Sequence, residues 1–309
     1  EHQVKVSELW ARFSDVAAGN PHAWTPVARS AEEIRTPGPD NRMIGFPYPK
    51  YMNANMTVDQ AAGIILCSVE AARAAGVPED RWVFVRSGAE AHDHWFVSER
   101  ADFVSSPAIR LAGRRALEID GSGIDDVAHV DLYSCFPAPV QIGAAEMGLG
   151  TDEPGRSLTV TGGLGFAGGP GNNYVTHSIA SMCDALRRDP GSLGLVTALG
   201  WYITKHAIGL YSTRPPADGF RWESVQEAVD SLPRREVVTG AEGPAVIDTY
   251  TVMHERDGSP ATAIVIAGLP DCRRTVANVT DPDALRVLTT TEGCGRAVTL
   301  LGDTKAELV

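Results

Sequence analysis

Apolar residues recur along the chain with two different periods, and the switch between them divides the sequence. From Ser7 to Ala18, Leu9, Trp10, Phe13, Val16 and Ala17 fall on one stripe at helical spacing. Ser7 is placed to cap this helix and Gly19 to end it. Residues 20–55 lose the periodicity, and Pro21, Pro26, Pro37, Pro39, Pro47 and Pro49 punctuate them. Long excursions of this kind in compact proteins are usually functional or interfacial. From Ala61 onward, short apolar runs alternate with amphipathic ones. The pattern predicts strands at 64–67, 82–85, 127–132, 158–161, 193–197 and 207–211. Helices are predicted at 69–75, 107–119, 140–147 and 173–188, the second with Ser106 as N-cap and Pro107 at its first position. Alternation at this spacing predicts a layered α/β domain with a mostly parallel sheet.

Between Pro215 and Pro233 the order breaks, and beyond Val237 the period becomes two. Apolar alternation at 245–254, 262–267, 274–279 and 297–301, with a short helix near 283–288 and turns such as Asp257-Gly258, predicts a small β-barrel of OB type. The expected division is an N-terminal excursion over 1–56, an α/β unit over 57–230 and the barrel over 237–309. No internal repeat with a fixed period is found.

Composition narrows the function classes. Hydrophobic residues make up 43% and charged residues 21% of the 309, enough apolar surface for a folded core. The net charge of −12 excludes sequence-independent nucleic-acid binding, which rests on Lys and Arg, and a basic membrane-surface role. The five cysteines are odd in number and form no C-x-x-C, so neither a disulfide framework nor a four-cysteine zinc site is indicated. Thiols spread this thinly suit a reducing cytoplasm. No run of about 18 apolar residues is present, so no membrane span is expected.

Candidate chemistry clusters in three places. Gly163, Gly165 and Gly168 form a G-x-G-x-x-G between a strand and a helix, but Pro170 and Gly171 lengthen the turn beyond dinucleotide-binding geometry. No nicotinamide cofactor is therefore expected. The alternatives for this loop are a backbone passing close to something, or a ligand at the following helix N-terminus. His92 and His94 flank Asp93, but no third ligand is nominated and no metal is expected. Tyr133-Ser134-Cys135-Phe136 ends a strand, where ligand crevices form in α/β sheets. Cys135 reads either as a nucleophile or as a small buried apolar residue. His177 and His206 are acid/base candidates.

The order of these segments resembles the thiolase superfamily, most closely the sterol-carrier-type thiolases and their thiolase-like relatives. Asn20-Pro21-His22-Ala23 is similar to the end of the thiolase loop domain, and Asn53 to Ala62 to the family's asparagine-rich turn into an alanine-rich strand. Tyr133-Ser134-Cys135-Phe136 sits where the family carries N-E-A-F or H-D-C-F. Gly162-Gly163 through Gly168-Gly169-Pro170 stands at the double glycine and G-H-P, and Ala198-Leu199-Gly200 at C-x-G. The resemblance covers about Val4 to Thr213. It implies the C-terminal thiolase half, with a mixed five-stranded sheet and an additional small barrel. It also implies a coenzyme A thioester as substrate or ligand, with no other cofactor.

By resemblance, Lys50 and Asn53 to Thr57 line the pantetheine tunnel. Asn53, Asn55, Gly162, Gly163, Gly168, Gly169 and Gly200 are the expected substrate-binding positions, and Tyr133, His177 and His206 the expected catalytic ones. The departures matter more. The G-H-P histidine is Gly169 and the C-x-G cysteine is Ala198. The nucleophilic cysteine belongs to the other thiolase half, which is expected upstream in a longer polypeptide of about 500 residues or on a partner chain, with a homodimer as a further option. Three functions follow from the resemblance: an acyltransferase-related acyl-CoA-handling protein of lipid metabolism with altered chemistry, a retro-aldol carbon–carbon lyase acting on an acyl-CoA, and a non-catalytic acyl-CoA-binding subunit.

Overall fold

The structure, a computed structural model, describes every residue except Pro154. The first helix, α1 (His2–Gly19), starts five residues before the expected cap and buries Val6, Leu9, Trp10, Phe13 and Ala17. Trp10 stacks on Phe13 with ring centroids 5.0 Å apart. A short capped turn, α2 (Ala31–Arg35), and a hairpin of β1 (Met43–Phe46) and β2 (Tyr48–Pro49) follow inside the proline-rich excursion.

The expected run at 64–67 forms no strand. Ile65 and Leu66 are 95% and 82% exposed, and no neighbouring strand supplies a ladder. Apolar content alone cannot make a strand without a partner. After α3 (Val69–Ala74), the α/β unit is built from β3 (Phe84–His92), α4 (Pro107–Asp120), β4 (Val127–Asp131), α5 (Pro137–Met147), the short α6 (Gly163–Phe166), α7 (Tyr174–Arg188), β5 (Leu193–Gly200) and β6 (Lys205–Ser212). Two elements missed by sequence, β7 (Arg221–Ser224) and α8 (Gln226–Asp230), occupy the segment where periodicity breaks.

The sheet has five strands in the order β4-β5-β6-β3-β7. It is mixed, not mostly parallel: β6 runs antiparallel to both β5 and β3, whereas β4–β5 and β3–β7 are parallel. The expected strand at 158–161 makes no ladder. It is docked by one backbone bond, Leu132 N–H to Leu158 O at 2.9 Å, and by the side chain of Asp131. The fifth strand is β7 instead. Strand alternation sorts the two faces. Leu193 and Leu195 join Ile109, Ala112 and Ala116 of α4 and Val140 and Ala144 of α5 in the main core, which α1 also enters. Val196 packs on Met182 and Leu186 of α7 on the other face.

The last segment follows the period-two expectation. Strands β8 (Glu242–His254), β9 (Pro260–Gly268), β10 (Arg274–Val279), β11 (Ala297–Leu301) and β12 (Ala306–Leu308), with α9 (Pro282–Thr290) between β10 and β11, bury alternate residues such as Ile247, Val265, Ala277 and Val298. The ladders run β10-β9-β8-β11-β12, and one parallel bridge, Asn278 to Lys305, joins β10 back to the approach to β12. Strand order 1-2-3-5-4-1 with the helix after the third strand is the OB arrangement. The sheet also recruits chain from far upstream, because β1 pairs antiparallel with β8 through Gly45–Met253 and Phe46–Val252. Arg274 of β10 is 5% exposed and donates to the carbonyls of Ser98, Arg100 and Ala101 in the α/β unit. Among the described residues, no helix is long and apolar enough to cross a membrane.

Candidate functional site

Three segments converge where β4 and β5 end. The turn Tyr133–Phe136 leaves β4, the glycine-rich loop 162–169 leads toward α7, and 53–55 threads between them. Ala54 N–H donates to Cys135 O at 2.9 Å, Asn55 N–H to Leu164 O at 3.0 Å, and Gly169 N–H to Asn55 O at 2.9 Å. Asn53 spends its side-chain amide on the carbonyl of Pro49 at 2.7 Å, closing its own turn.

The anchor under this junction is Asp131, which is fully buried at the end of β4. Its Oδ2 accepts from the hydroxyls of Thr159 (2.9 Å) and Thr161 (3.1 Å) and the backbone N–H groups of Val160 (2.9 Å) and Thr161 (3.2 Å). Its Oδ1 accepts from Tyr174 (2.9 Å) and Ser178 (2.7 Å) on α7. Burial pushes the Asp131 pKa up, and the donors, Ser178 foremost, oppose the shift. The network continues upward. Thr159 and Thr161 accept from Gly162 N–H and Gly163 N–H at 3.0 Å each, and Ser134 Oγ accepts from Leu164 N–H at 3.2 Å. Asp131, Thr159, Thr161 and Ser178 were missed from sequence as site residues, and Ser134 was read only within the Tyr133–Phe136 motif. The available signal was an acidic residue closing the otherwise apolar run Val130-Asp131-Leu132.

The glycines are explained by what presses on them. Gly162 has φ +101°, and a Cβ there would lie 2.6 Å from Ala17 N on α1. Gly163 has φ +78°, and its Cβ would meet Phe13 at 2.7 Å and Ser134 Oγ at 2.8 Å. Gly168 lies against the Gln60 side chain, and Gly169 against Leu164 and the Asn55 carbonyl. The loop thus passes close to its own chain. Gly200, at the end of β5, faces the flexible Lys205 side chain.

Of the acid/base candidates, Tyr133 stacks edge-on against Tyr174 with centroids 5.3 Å apart, and its N–H donates to Thr197 Oγ1 at 2.8 Å. Burial, with the nearby Cys135, pushes the Tyr133 pKa up to about 12, and burial pushes Cys135 up to about 11. His177, in the first turns of α7, is half-buried. Its pKa is lowered by burial and then by His22, and its Nε2 has no partner among the described residues. Gln60 Nε2 ties His22 O and Ala167 O together at 3.0 Å each, which sets this corner of the loop beside α7.

His206 lies elsewhere. It shares the α4-facing side of β6 with Ile208 and Leu210, whereas His177 belongs to α7 on the opposite face. His206 Nε2 is 3.6 Å from Asp93, which also accepts from Ala108 N–H at 3.0 Å and from the Ser106 hydroxyl at the start of α4. His206 Nε2 is buried without a hydrogen-bond partner among the described residues, and His206 joins no cluster with Tyr133 and His177. His92 turns its Nδ1 to the Asp93 carbonyl at 2.9 Å and stacks on Trp95. Among the described residues, no group of three or more His, Cys, Asp or Glu is arranged to hold a metal ion.

Residues 224–305 match the family described as "Thiolase-like protein type 1 additional C-terminal domain". Among solved structures, the crystal structure of a monomeric SCP2-thiolase like protein type 1 (STLP1) from Mycobacterium smegmatis is similar over 99% of this chain and 68% of that one. The sequence identity is 40% and the TM-score 0.89. The chain belongs to the SCP2-thiolase-like protein type 1 family. No curated protein matches it by sequence. Membership accounts for the additional C-terminal domain. The positions resembling the thiolase histidine and cysteine are Gly169, buried in the loop, and Ala198, on β5 opposite Ala207 of β6.

Proposed function

We propose that this chain handles acyl thioesters of coenzyme A as a thiolase-like protein whose Claisen chemistry has been replaced. The observation that carries the reading is that Gly169, buried in the loop, and Ala198, on β5, stand where a thiolase has its histidine and cysteine. Cys135 is held at about 11 and Tyr133 at about 12, both by burial. Burial that raises both groups disfavours the thiolate and the phenolate alike. Family resemblance supports the ligand class, and the replaced histidine and cysteine support the loss of acyl transfer. The direct test is titration with acetoacetyl-CoA alongside a thiolysis assay with free coenzyme A. Binding without coenzyme A-dependent cleavage is the expected result.

One observation favours a second reading, the retro-aldol lyase. His177 keeps a neutral imidazole near pH 7, with an unpartnered Nε2 beside the loop. Such a base removes the hydroxyl proton of a 3-hydroxyacyl thioester. The Cα–Cβ bond then breaks, its electron pair goes to Cα as an enolate, and the carbonyl fragment leaves. Incubation with a 3-hydroxyacyl-CoA and trapping of the released aldehyde or ketone tests this. Product formed by the unaltered chain but not by His177→Gln supports it, and equal turnover by both excludes it.

A further inference from the structure

The β5–β6 hairpin overshoots the candidate site. β4 leaves its ladder at Asp131–Val196, whereas β5 and β6 stay paired as far as Gly200–Lys205, and β3 keeps pace through His92–Lys205. At about 3.3 Å per residue, the hairpin stands about 13 Å beyond the end of β4. It is rooted in the junction itself, because Thr197 of β5 accepts the Tyr133 N–H. Its tip is built against backbone preference. Trp201 and Ile203 have φ of +62° and +51°, the left-handed region that a β-branched residue such as isoleucine rarely occupies. Buried groups hold it there: Arg100 Nη2 donates to Tyr202 O at 3.0 Å, and Asp93 N–H to Thr204 O at 2.9 Å.

What this strained tip presents is aromatic. Trp201 and Tyr202 are 65% and 70% exposed, and their rings meet edge-on with centroids 5.7 Å apart. The loop after β3, tied to the tip by the Asp93–Thr204 bond, adds Trp95 and Phe96, which are 47% and 64% exposed. Trp95 is steadied by stacking on His92 at 4.5 Å. Lone apolar side chains in water are ordinary, but four large rings on two linked loops mark a surface that something apolar covers. Backbone strain of this kind persists where the surroundings over-determine it, as they do at ligand clamps.

We propose that this aromatic shelf receives the acyl group of the thioester, so that the site takes longer apolar acyl chains in preference to acetyl. The inference rests on the reading of the chain as an acyl-CoA handler and adds the substrate class to it. The occupant follows from continuity: the hairpin that fixes the Tyr133 turn also carries the rings, so a ligand lying over that turn meets the shelf on one side. Each methylene withdrawn from water onto the rings adds affinity, whereas an acetyl group ends one carbon from the thioester carbonyl and does not reach them.

The test is calorimetric titration of the intact chain with octanoyl-CoA and with acetyl-CoA, below the concentration at which the longer thioester forms micelles. Octanoyl-CoA should bind about tenfold tighter or more, the gain from burying about two of its extra methylenes. Saturating octanoyl-CoA should also shift tryptophan emission to shorter wavelength. Trp201→Ala and, separately, Trp95→Ala should weaken octanoyl-CoA more than acetyl-CoA and so shrink the ratio of the two constants. Both rings are exposed, so each variant should keep the circular dichroism of the unaltered chain. Equal affinity for the two thioesters would overturn the shelf and leave the acyl-CoA reading standing. So would saturation without an emission shift, or an unchanged ratio in both folded variants. No binding of either thioester would overturn that reading and the shelf with it.

Discussion

Asp131 shows how one residue carries a whole junction. Six donors from two segments, four from residues 159–161 and two from α7, converge on one buried carboxylate. Asp131→Ala leaves all six without their acceptor and is expected to cost roughly 3 kcal/mol or more, read from denaturant midpoints. Asp131→Asn keeps the shape, and the Tyr174 and Ser178 hydroxyls can turn to accept, so the loss should be clearly smaller. Equal losses would show that packing, not hydrogen bonding, holds the site. His177 gives a pH signature. Its folded pKa lies below the ordinary histidine value, so the unfolded chain binds the proton more readily. Stability is full above the unfolded pKa of about 6.5 and falls as pH drops from there through the lower folded value. His177→Gln should flatten that part of the stability profile, and an unchanged profile would remove burial as the cause.

At the scale of elements, the glycine loop behaves as packing against α1. Gly162 stands at φ +101° with α1 against its missing side chain. Gly162→Ala is expected to destabilise by about 3 kcal/mol, combining left-handed strain with overlap against Ala17. Gly171, which has open space around it, should tolerate alanine within about 0.5 kcal/mol. Similar thermal midpoints for the two variants would contradict the close-packing account. This distinction was only half legible in the sequence. The run Gly162 to Gly171 announces an unusual backbone, but a run of glycines does not say whether ligand or protein fills the space. Periodicity did place α4, α5, α7 and the barrel strands, because each buries one face on its neighbours. It failed at Ile64–Cys67, where an apolar run has no strand to pair with, and at β7, whose residues Arg221 to Ser224 are mostly exposed and carry no apolar pattern.

Across the whole molecule, the barrel and the α/β unit are stitched by β1 on β8 and by Arg274, contacts between residues some 170 to 210 positions apart. No local pattern reports pairings at that separation. Arg274→Met removes the donors to Ser98, Arg100 and Ala101 and leaves Asp248 without its 2.7 Å partner. It should lower the thermal midpoint and raise protease cleavage in the loop 97–102; an unchanged cleavage pattern would show that β1–β8 pairing alone joins the parts. The candidate site was legible as a set of motifs in order, and the neighbour over 99% of the chain bears out the family. That His177 and His206 do not meet was not legible, since they fall on opposite faces of the sheet and only the strand register reveals it.

The proposed function is acyl-CoA handling by a chain with Gly169 and Ala198 where a thiolase has its histidine and cysteine. Acetoacetyl-CoA, added with and without free coenzyme A at neutral pH and followed for both binding and loss of the thioester enolate absorbance, tests it most directly. Saturable binding with no coenzyme A-dependent cleavage above the uncatalysed rate is expected. Steady thiolysis by this chain, or no binding of the thioester at all, would contradict it.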